Sequence, residues 1–105
     1  MTVDEKRSCP RYDFLAEIKY RSNSPPLLGR IMDLSEGGIF IDTMVPLAAG
    51  ARVTFSFFIP DNYPDIAITG GGRVAWQQKA AGMGVEFLQM NEKSRERITS
   101  FLESL

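Results

Sequence analysis

Histidine is absent from this chain, and cysteine occurs once, at Cys9. A Ser-His-Asp triad, a Cys-His dyad and the usual structural zinc sites all need residue types that are missing, and a single cysteine cannot form an internal disulfide. The acidic residues are scattered along the chain, and no two of them are recognisably placed for general acid and base roles. We therefore expect a protein that is not an enzyme and that uses neither a metal ion nor a cofactor.

Long apolar runs and a strong net charge are also missing. No segment approaches the roughly 18 apolar residues of a membrane span, and residues 1–13 lack the apolar core of a signal peptide. The 12 basic and 13 acidic residues leave a net charge of −1, with a pI near 5.4, whereas oligonucleotide binding on a small barrel favours a basic face with exposed aromatic side chains. We expect one cytoplasmic domain that neither inserts into a membrane nor binds nucleic acid.

Alternating apolar and polar residues, interrupted by turn residues, occupy most of the chain. The predicted strands cover residues 14–21, 28–34, 38–43, 52–59, 66–78 and 83–88. The clearest of them places Val53, Phe55, Phe57 and Ile59 on one side. Glycines 70–72 interrupt the fifth strand, where missing side chains suit a bend or a bulge. This pattern predicts a mainly β fold, a closed or nearly closed six-stranded antiparallel β-barrel.

The two ends of the chain follow other patterns. Asn91 is a suitable N-cap, and Ile98, Phe101, Leu102 and Leu105 form an apolar stripe at helical spacing, which predicts a C-terminal α-helix over about 92–105. Residues 1–13 have no apolar periodicity and contain a proline. We interpret them as a flexible N-terminal arm, which leaves residues 14–105 for the barrel and its helix.

The predicted arm carries the motif R-x-x-x-R, formed by Arg7 and Arg11 and preceded by Lys6. An arginine side chain can grip a phosphate with two hydrogen bonds, can bond the O6 and N7 acceptors of guanine and can stack on a purine. A spacing of four residues on a flexible arm allows the two arginines to reach different parts of one ligand. Taken alone, such a pair is also common as two solvated charges.

A second motif, D-x-S-x-x-G, runs from Asp33 to Gly38. Alternation at the end of a strand predicts that Asp33 and Ser35 project to the same face, with Leu34 in the core. A carboxylate at Asp33 could accept hydrogen bonds from the N1–H and N2–H₂ groups of guanine, and Ser35 adds a hydroxyl. Glycines 37 and 38 allow a positive φ and a close approach of ligand to the turn. Taken alone, the motif is also typical of a tight turn leading into a hairpin.

Together, in this order, the two motifs resemble those of the PilZ domain, the bacterial cyclic di-GMP receptor. The resemblance extends from about Lys6 to the C-terminus and includes residues 34–41, 72–76 and 82–87. It implies a PilZ-like barrel in which Arg7 and Arg11 engage guanine and phosphate, together with Asp33, Ser35 and Gly38. Gly37, Trp76 and Lys6 form a second tier of predicted ligand-binding residues.

Two positions of the second tier leave alternatives open. Trp76 could stack on a guanine or serve as a packing residue at the edge of the barrel. Lys6 stands where such domains frequently have another arginine, which leaves open whether one nucleotide or a stacked pair binds.

The resemblance implies a receptor and adaptor without a catalytic or output domain. Cyclic di-GMP would change the conformation of the arm and thereby signal to an unidentified downstream protein. The alternative is a PilZ-like protein–protein interaction module that does not depend on nucleotide.

Overall fold

The computed structural model describes residues 12–59 and 67–105. Within these ranges the chain forms six strands and one helix. They are β1 (Tyr12–Arg21), β2 (Leu27–Leu34), β3 (Gly38–Asp42), β4 (Arg52–Phe58), β5 (Ala67–Gln78), β6 (Gly82–Met90) and α1 (Glu92–Glu103). β1 begins two residues before the predicted boundary between arm and barrel, and the rest of the predicted arm, residues 1–11, lies outside the described residues.

The strands close into a barrel in the order β1-β2-β3-β6-β5-β4, and every neighbouring pair is antiparallel. Pairing of β1 with β4 completes the ring, so the described strands leave no open sheet edge. The prediction of a six-stranded antiparallel barrel is confirmed. In this ring β3 and β4 are three positions apart, so they lie on opposite sides of the barrel.

Alternation along each strand decides which side chains fill the barrel. In β4 and just after it, Val53, Phe55, Phe57 and Ile59 are at most 5% exposed, as the sequence predicted. Their neighbours Arg52, Thr54 and Phe58 are exposed on the outer wall. The interior is therefore aliphatic and aromatic, and the polar and charged chemistry lies on the outside of the barrel.

The glycines of β5 allow it to lie against β6 where the register shifts. The shift falls between Gly71 and Gly72, because Leu88 is an extra residue in β6. A Cβ at Gly70 would lie 2.7 Å from the carbonyl oxygen of Gln89, and a Cβ at Gly72 would overlap the backbone of Glu86. A bulge is therefore present at these glycines, but its extra residue belongs to β6 and not, as predicted, to the strand that contains them.

Helix α1 closes one end of the barrel. Asn91 is its N-cap, and its Oδ1 accepts a hydrogen bond of 2.7 Å from the backbone N–H of Ser94, as predicted. Ile98 and Leu102 are buried against the core. Leu105 does not extend their stripe: the helix ends at Glu103, and the Leu105 side chain is 65% exposed. No helix in the described part of the chain is long and apolar enough to cross a membrane.

Candidate functional site

The D-x-S-x-x-G motif forms the connection between β2 and β3, and the Ser35 side chain holds it together. The Ser35 hydroxyl accepts hydrogen bonds from the backbone N–H groups of Gly37 (3.2 Å) and Gly38 (3.1 Å) and donates one to the Gly38 carbonyl (3.3 Å). Its backbone N–H donates to the same carbonyl at 2.9 Å. Ser35 is 3% exposed. It does not project outward beside Asp33 as predicted, because β2 ends at Leu34 and strand alternation ends with it.

Gly38 also has a structural role, in the packing of β3 on β6. It pairs with Glu86 at the start of β3, and a Cβ at this position would overlap the carbonyl oxygen of Val85. Among the described glycines, Gly50 is the one with a positive φ, at 92°. Close packing of β3 on β6, rather than an unusual backbone conformation, therefore explains why glycine ends the motif.

Asp33 belongs to a row of four residues that crosses the outer wall from β2 to β5. The register pairs Asp33 with Phe40, Phe40 with Gly84, and Gly84 with Trp76. Residues opposite each other on neighbouring strands project to the same face. Asp33 and Phe40 are half-buried, and Trp76 is 48% exposed. The row runs around the outer surface of the barrel, from a carboxylate on β2 to aromatic rings on β3 and β5.

Two bulges turn the ends of this row outward. Between Ile31 and Asp33, β2 has one residue more than β3, and Met32 is the extra residue. Between Val74 and Trp76, β5 has one residue more than β6. Ile31 and Val74 are fully buried, so strict alternation would have directed Asp33 and Trp76 inward as well. Each bulge reverses the direction that alternation would give, so Asp33 and Trp76 point outward. Bulges commonly have this effect next to functional sites.

The aromatic end of the row is built around two glycines of β6. The rings of Phe40 and Trp76 stack with their centroids 5.4 Å apart and an angle of 23° between their planes. A Cβ at Gly84 would lie 2.7 Å from Cε2 of Trp76, and a Cβ at Gly82 would lie 2.6 Å from Cζ of Phe40. The rings therefore lie flat on bare backbone, with part of the indole open to solvent.

Phe40 was missed as a site residue, although the sequence contained a signal for it. It lies between Ile39 and Ile41, both of which are fully buried. Alternation along a strand with two core neighbours directs the residue between them outward. A large aromatic residue on an outer wall beside the motif was therefore recognisable as a candidate.

The N-terminal part of the chain enters the barrel next to the motif. Tyr12, the first residue of β1, pairs with Leu34, and Asp13 pairs with Asp33. Arg7, Arg11 and Lys6 lie outside the described residues. The segment that carries them is nevertheless joined to the barrel one strand spacing, about 4.8 Å, from the end of β2.

The motif also contacts the helix. Glu36 Oε1 accepts a hydrogen bond of 3.4 Å from the Thr99 hydroxyl of α1, and the Gly37 carbonyl accepts one of 2.9 Å from the backbone N–H of Phe87 in β6. The turn is therefore hydrogen-bonded to both α1 and β6.

The site is a wall rather than a cavity. A groove of about 850 Å³ lies between β1, β2 and the residues after β3, with Leu28 and Met44 in its lining, and Asp33 and Trp76 are not part of it. The described residues include no group of three or more His, Cys, Asp or Glu side chains arranged to hold a metal ion. Within these residues the wall offers polar contact at Asp33 and stacking at Trp76, so a ligand bound there would need a second wall to enclose it.

Comparisons with known proteins connect these features to a family. The family model of the PilZ domain matches residues 5–104, which include both motifs. No curated protein matches the sequence.

Solved structures with the same fold include the inhibitor of motility MotI/DgrA of Bacillus subtilis and the PilZ domain of CeSA from a cellulose-synthesizing bacterium. The first superposes with a TM-score of 0.79 at 13% identity, covering 91% of this chain and 48% of that chain. The second gives 0.68 at 14% identity, covering 90% and 96%. At such identities the similarity concerns the fold. The chain spans about half the length of the MotI/DgrA chain.

Proposed function

The chain belongs to the PilZ domain family, and from this premise we propose that it is a receptor for cyclic di-GMP, the ligand of that family, and an adaptor that passes the signal to a protein partner. The ligand would lie on the outer wall over Asp33, Phe40 and Trp76. The N-terminal segment with Arg7 and Arg11 would close over it. The domain would act by binding alone, without catalysis.

The observation that supports this proposal is that the first strand of the barrel starts beside the D-x-S-x-x-G motif. β1 starts opposite Leu34, so the chain before Tyr12 leaves the barrel beside Asp33. From there, Arg7 is separated from Tyr12 by five peptide bonds, and an extended chain advances at most about 3.5 Å per residue. Both arginines are thus within reach of a ligand on the row from Asp33 to Trp76.

Each polar and aromatic group of the row suits a different part of the ligand. The Asp33 carboxylate can accept from the N1–H and N2–H₂ donors of guanine, which adenine does not present in that arrangement. The half-exposed indole of Trp76 offers a face for stacking on the second base. The β2 and β5 strands are three strand spacings apart, about 14 Å along the wall, so the two contacts would involve different bases.

The binding free energy must exceed the cost of ordering the N-terminal segment. Fixing about five residues costs roughly 5–10 kcal/mol at ~1–2 kcal/mol each, and a charge-assisted hydrogen bond returns roughly 1.5–3 kcal/mol. Several such bonds have to form together to reach the −8 to −10 kcal/mol of a complex with about micromolar or tighter affinity. Loss of either arginine should therefore weaken binding strongly.

Isothermal titration calorimetry with cyclic di-GMP tests the proposal, with GTP and cyclic di-AMP as control ligands. We expect Arg7→Ala and Arg11→Ala each to weaken binding at least about tenfold, which corresponds to ~1.4 kcal/mol. Arg95→Ala, which removes an exposed cation from α1, is the matched control and should bind like the wild type. Equal affinities for all of these proteins would refute the role of the two arginines.

Base selectivity has its own matched pair of variants. Asp33→Asn should lose most of the preference for cyclic di-GMP over cyclic di-AMP, because an amide presents a donor where the guanine edge also has donors. Asp42→Asn makes the same change at an exposed position at the end of β3 and should keep the preference. A selective Asp33→Asn protein would assign the selectivity to another group.

One observation favours the alternative, an interaction module that does not depend on nucleotide. The Ser35 hydroxyl and Gly38 are both accounted for by the turn and by strand packing, so part of the motif is needed even without a ligand. Absence of heat with cyclic di-GMP, in a protein that circular dichroism shows to be folded, would decide for this alternative.

A further inference from the structure

The outer surface of β1, β4 and β5 carries an exposed group of basic residues. Lys19 and Arg21 lie on β1, Arg52 on β4 and Arg73 on β5, and all four are exposed. The register pairs Lys19 with Ser56, Arg21 with Thr54, and Arg52 with Arg73. We refer to the outer surface of β1, β4 and β5 defined by these residues as the basic wall.

The centre of the basic wall, at Thr54, is polar and exposed. Thr54 lies between Arg21 on one side and Gly71 on the other, and the nearest atoms to a Cβ at Gly71 would be 3.6 Å away. Ser56 is paired with Thr69 further along the same two strands. An extended segment of another chain can approach such a surface closely, and the hydroxyl groups can hydrogen-bond to it.

The charges of this wall are mostly uncompensated. Arg73 Nη2 contacts Glu86 Oε1 at 3.1 Å, whereas Arg21 and Arg52 have no ion pair within residues 12–59 and 67–105. Arg52 instead faces Arg73 directly across the strand pair, and like charges in that position destabilise a sheet. A bound anion would relieve this repulsion. The concentration of cations is notable in a chain whose net charge is −1.

The composition of the wall identifies the kind of anion. Three of its four cations are arginines, whose guanidinium groups match carboxylates with two parallel hydrogen bonds. The exposed apolar side chains of these strands lie away from Arg21, Arg52 and Arg73: Leu15 is six residues before Arg21, Phe58 is six residues after Arg52, and Trp76 is three residues beyond Arg73. Arginine is also enriched in protein–protein interfaces.

We propose that the basic wall is the docking surface for an acidic, Asp- and Glu-rich segment of a protein partner. The inference specifies the partner of the adaptor and to that extent rests on the proposed function. β4, the middle strand of the basic wall, lies opposite β3 in the ring, whereas β5 carries both Arg73 and Trp76, so the partner would lie beside the nucleotide along β5.

The test uses the full-length protein and a fluorescein-labelled peptide of Glu and Gly residues, with a Lys and Gly peptide of equal length as control. Fluorescence anisotropy at low salt should show binding of the acidic peptide and no binding of the Lys and Gly peptide. The affinity for the acidic peptide should fall as salt is added. Amide chemical shifts should then change in residues 19–21, 52–56 and 69–73. Shift changes confined to other parts of the protein would overturn the assignment.

Charge reversal supplies the decisive comparison. The double variant Arg21→Glu, Arg52→Glu should weaken peptide binding at least about tenfold, since repulsion replaces attraction at two positions. The control variant Arg95→Glu reverses an exposed charge on α1 and leaves Arg21 and Arg52 unchanged. It should weaken peptide binding less than about twofold. Equal binding by the double variant would overturn the proposal. Binding of phosphatidylglycerol vesicles or of a single-stranded oligonucleotide, but not of the acidic peptide, would overturn it as well.

The same variants separate this inference from the proposed function. Arg21 and Arg52 are not part of the nucleotide site, so calorimetry with cyclic di-GMP should give the wild-type affinity for the double variant. Loss of peptide binding with nucleotide binding intact supports the basic wall. A wild-type protein that binds the peptide but not the nucleotide would contradict the receptor proposal and leave the basic wall supported.

Discussion

Replacing Gly38 with alanine tests whether the final glycine of the D-x-S-x-x-G motif is required by the barrel itself. The new Cβ would overlap the Val85 carbonyl oxygen and would also lie 3.4 Å from Cα of Glu86. Both atoms belong to the backbone of β6, so no rotation of a side chain can relieve the overlap. The start of β3 would have to move away from β6 by roughly 1 Å to restore ordinary contact.

This displacement would strain the turn from both sides. The backbone N–H and carbonyl of Gly38 are bonded to Ser35, and the Gly37 carbonyl is bonded to Phe87. Overpacking in a tightly packed region costs about 1–3 kcal/mol. Because hydrogen bonds are also weakened here, we expect the free energy of unfolding to fall by about 2–3 kcal/mol, or roughly 10 °C or more in Tm.

Urea unfolding without nucleotide measures this loss directly. Gly71→Ala is the matched control, since its Cβ would have no neighbour closer than 3.6 Å, and its free energy of unfolding should stay within about 0.5 kcal/mol of the wild type. If Gly38→Ala were as stable as the wild type, strand packing would not explain this glycine, and its role would have to lie in the ligand.

Three further changes test other parts of the argument. Ser35→Ala leaves two N–H groups of the turn without their acceptor and should lower the free energy of unfolding by about 1–3 kcal/mol; an unchanged urea midpoint would contradict this. Gly84→Ala should push the indole of Trp76 off Phe40 and shift its fluorescence emission to longer wavelength, a clean signal because Trp76 is the single tryptophan; wild-type emission would speak against the stacked arrangement. Ala80→Gly should raise the free energy of unfolding by about 0.5–1 kcal/mol, because Ala80 has a φ of 58° in the turn before β6 and glycine adopts that region without strain; a lower thermal midpoint would refute this reasoning.

The secondary structure was largely determined by local sequence. Alternation in 52–59 predicted the buried row of β4, and Asn91 predicted the N-cap of α1, because these features depend on neighbours in the chain. The extent of the helix was less well determined. Leu105 matches the helical spacing, but α1 ends at Glu103 and leaves it exposed.

The surface that forms the candidate site was decided by tertiary structure. Alternation next to Leu34 predicted Asp33 on the outer face, whereas alternation counted from Ile31 or Val74 would place Asp33 and Trp76 in the core. The bulges that turn both residues outward appear only when β2 is aligned with β3 and β5 with β6. The requirement for glycine at position 38 likewise depends on Val85, which is 47 residues away in the chain and adjacent in the barrel. Local sequence can specify a strand and its two faces. The position of a bulge, at which inward-facing and outward-facing residues exchange, is specified only by the pairing of distant strands.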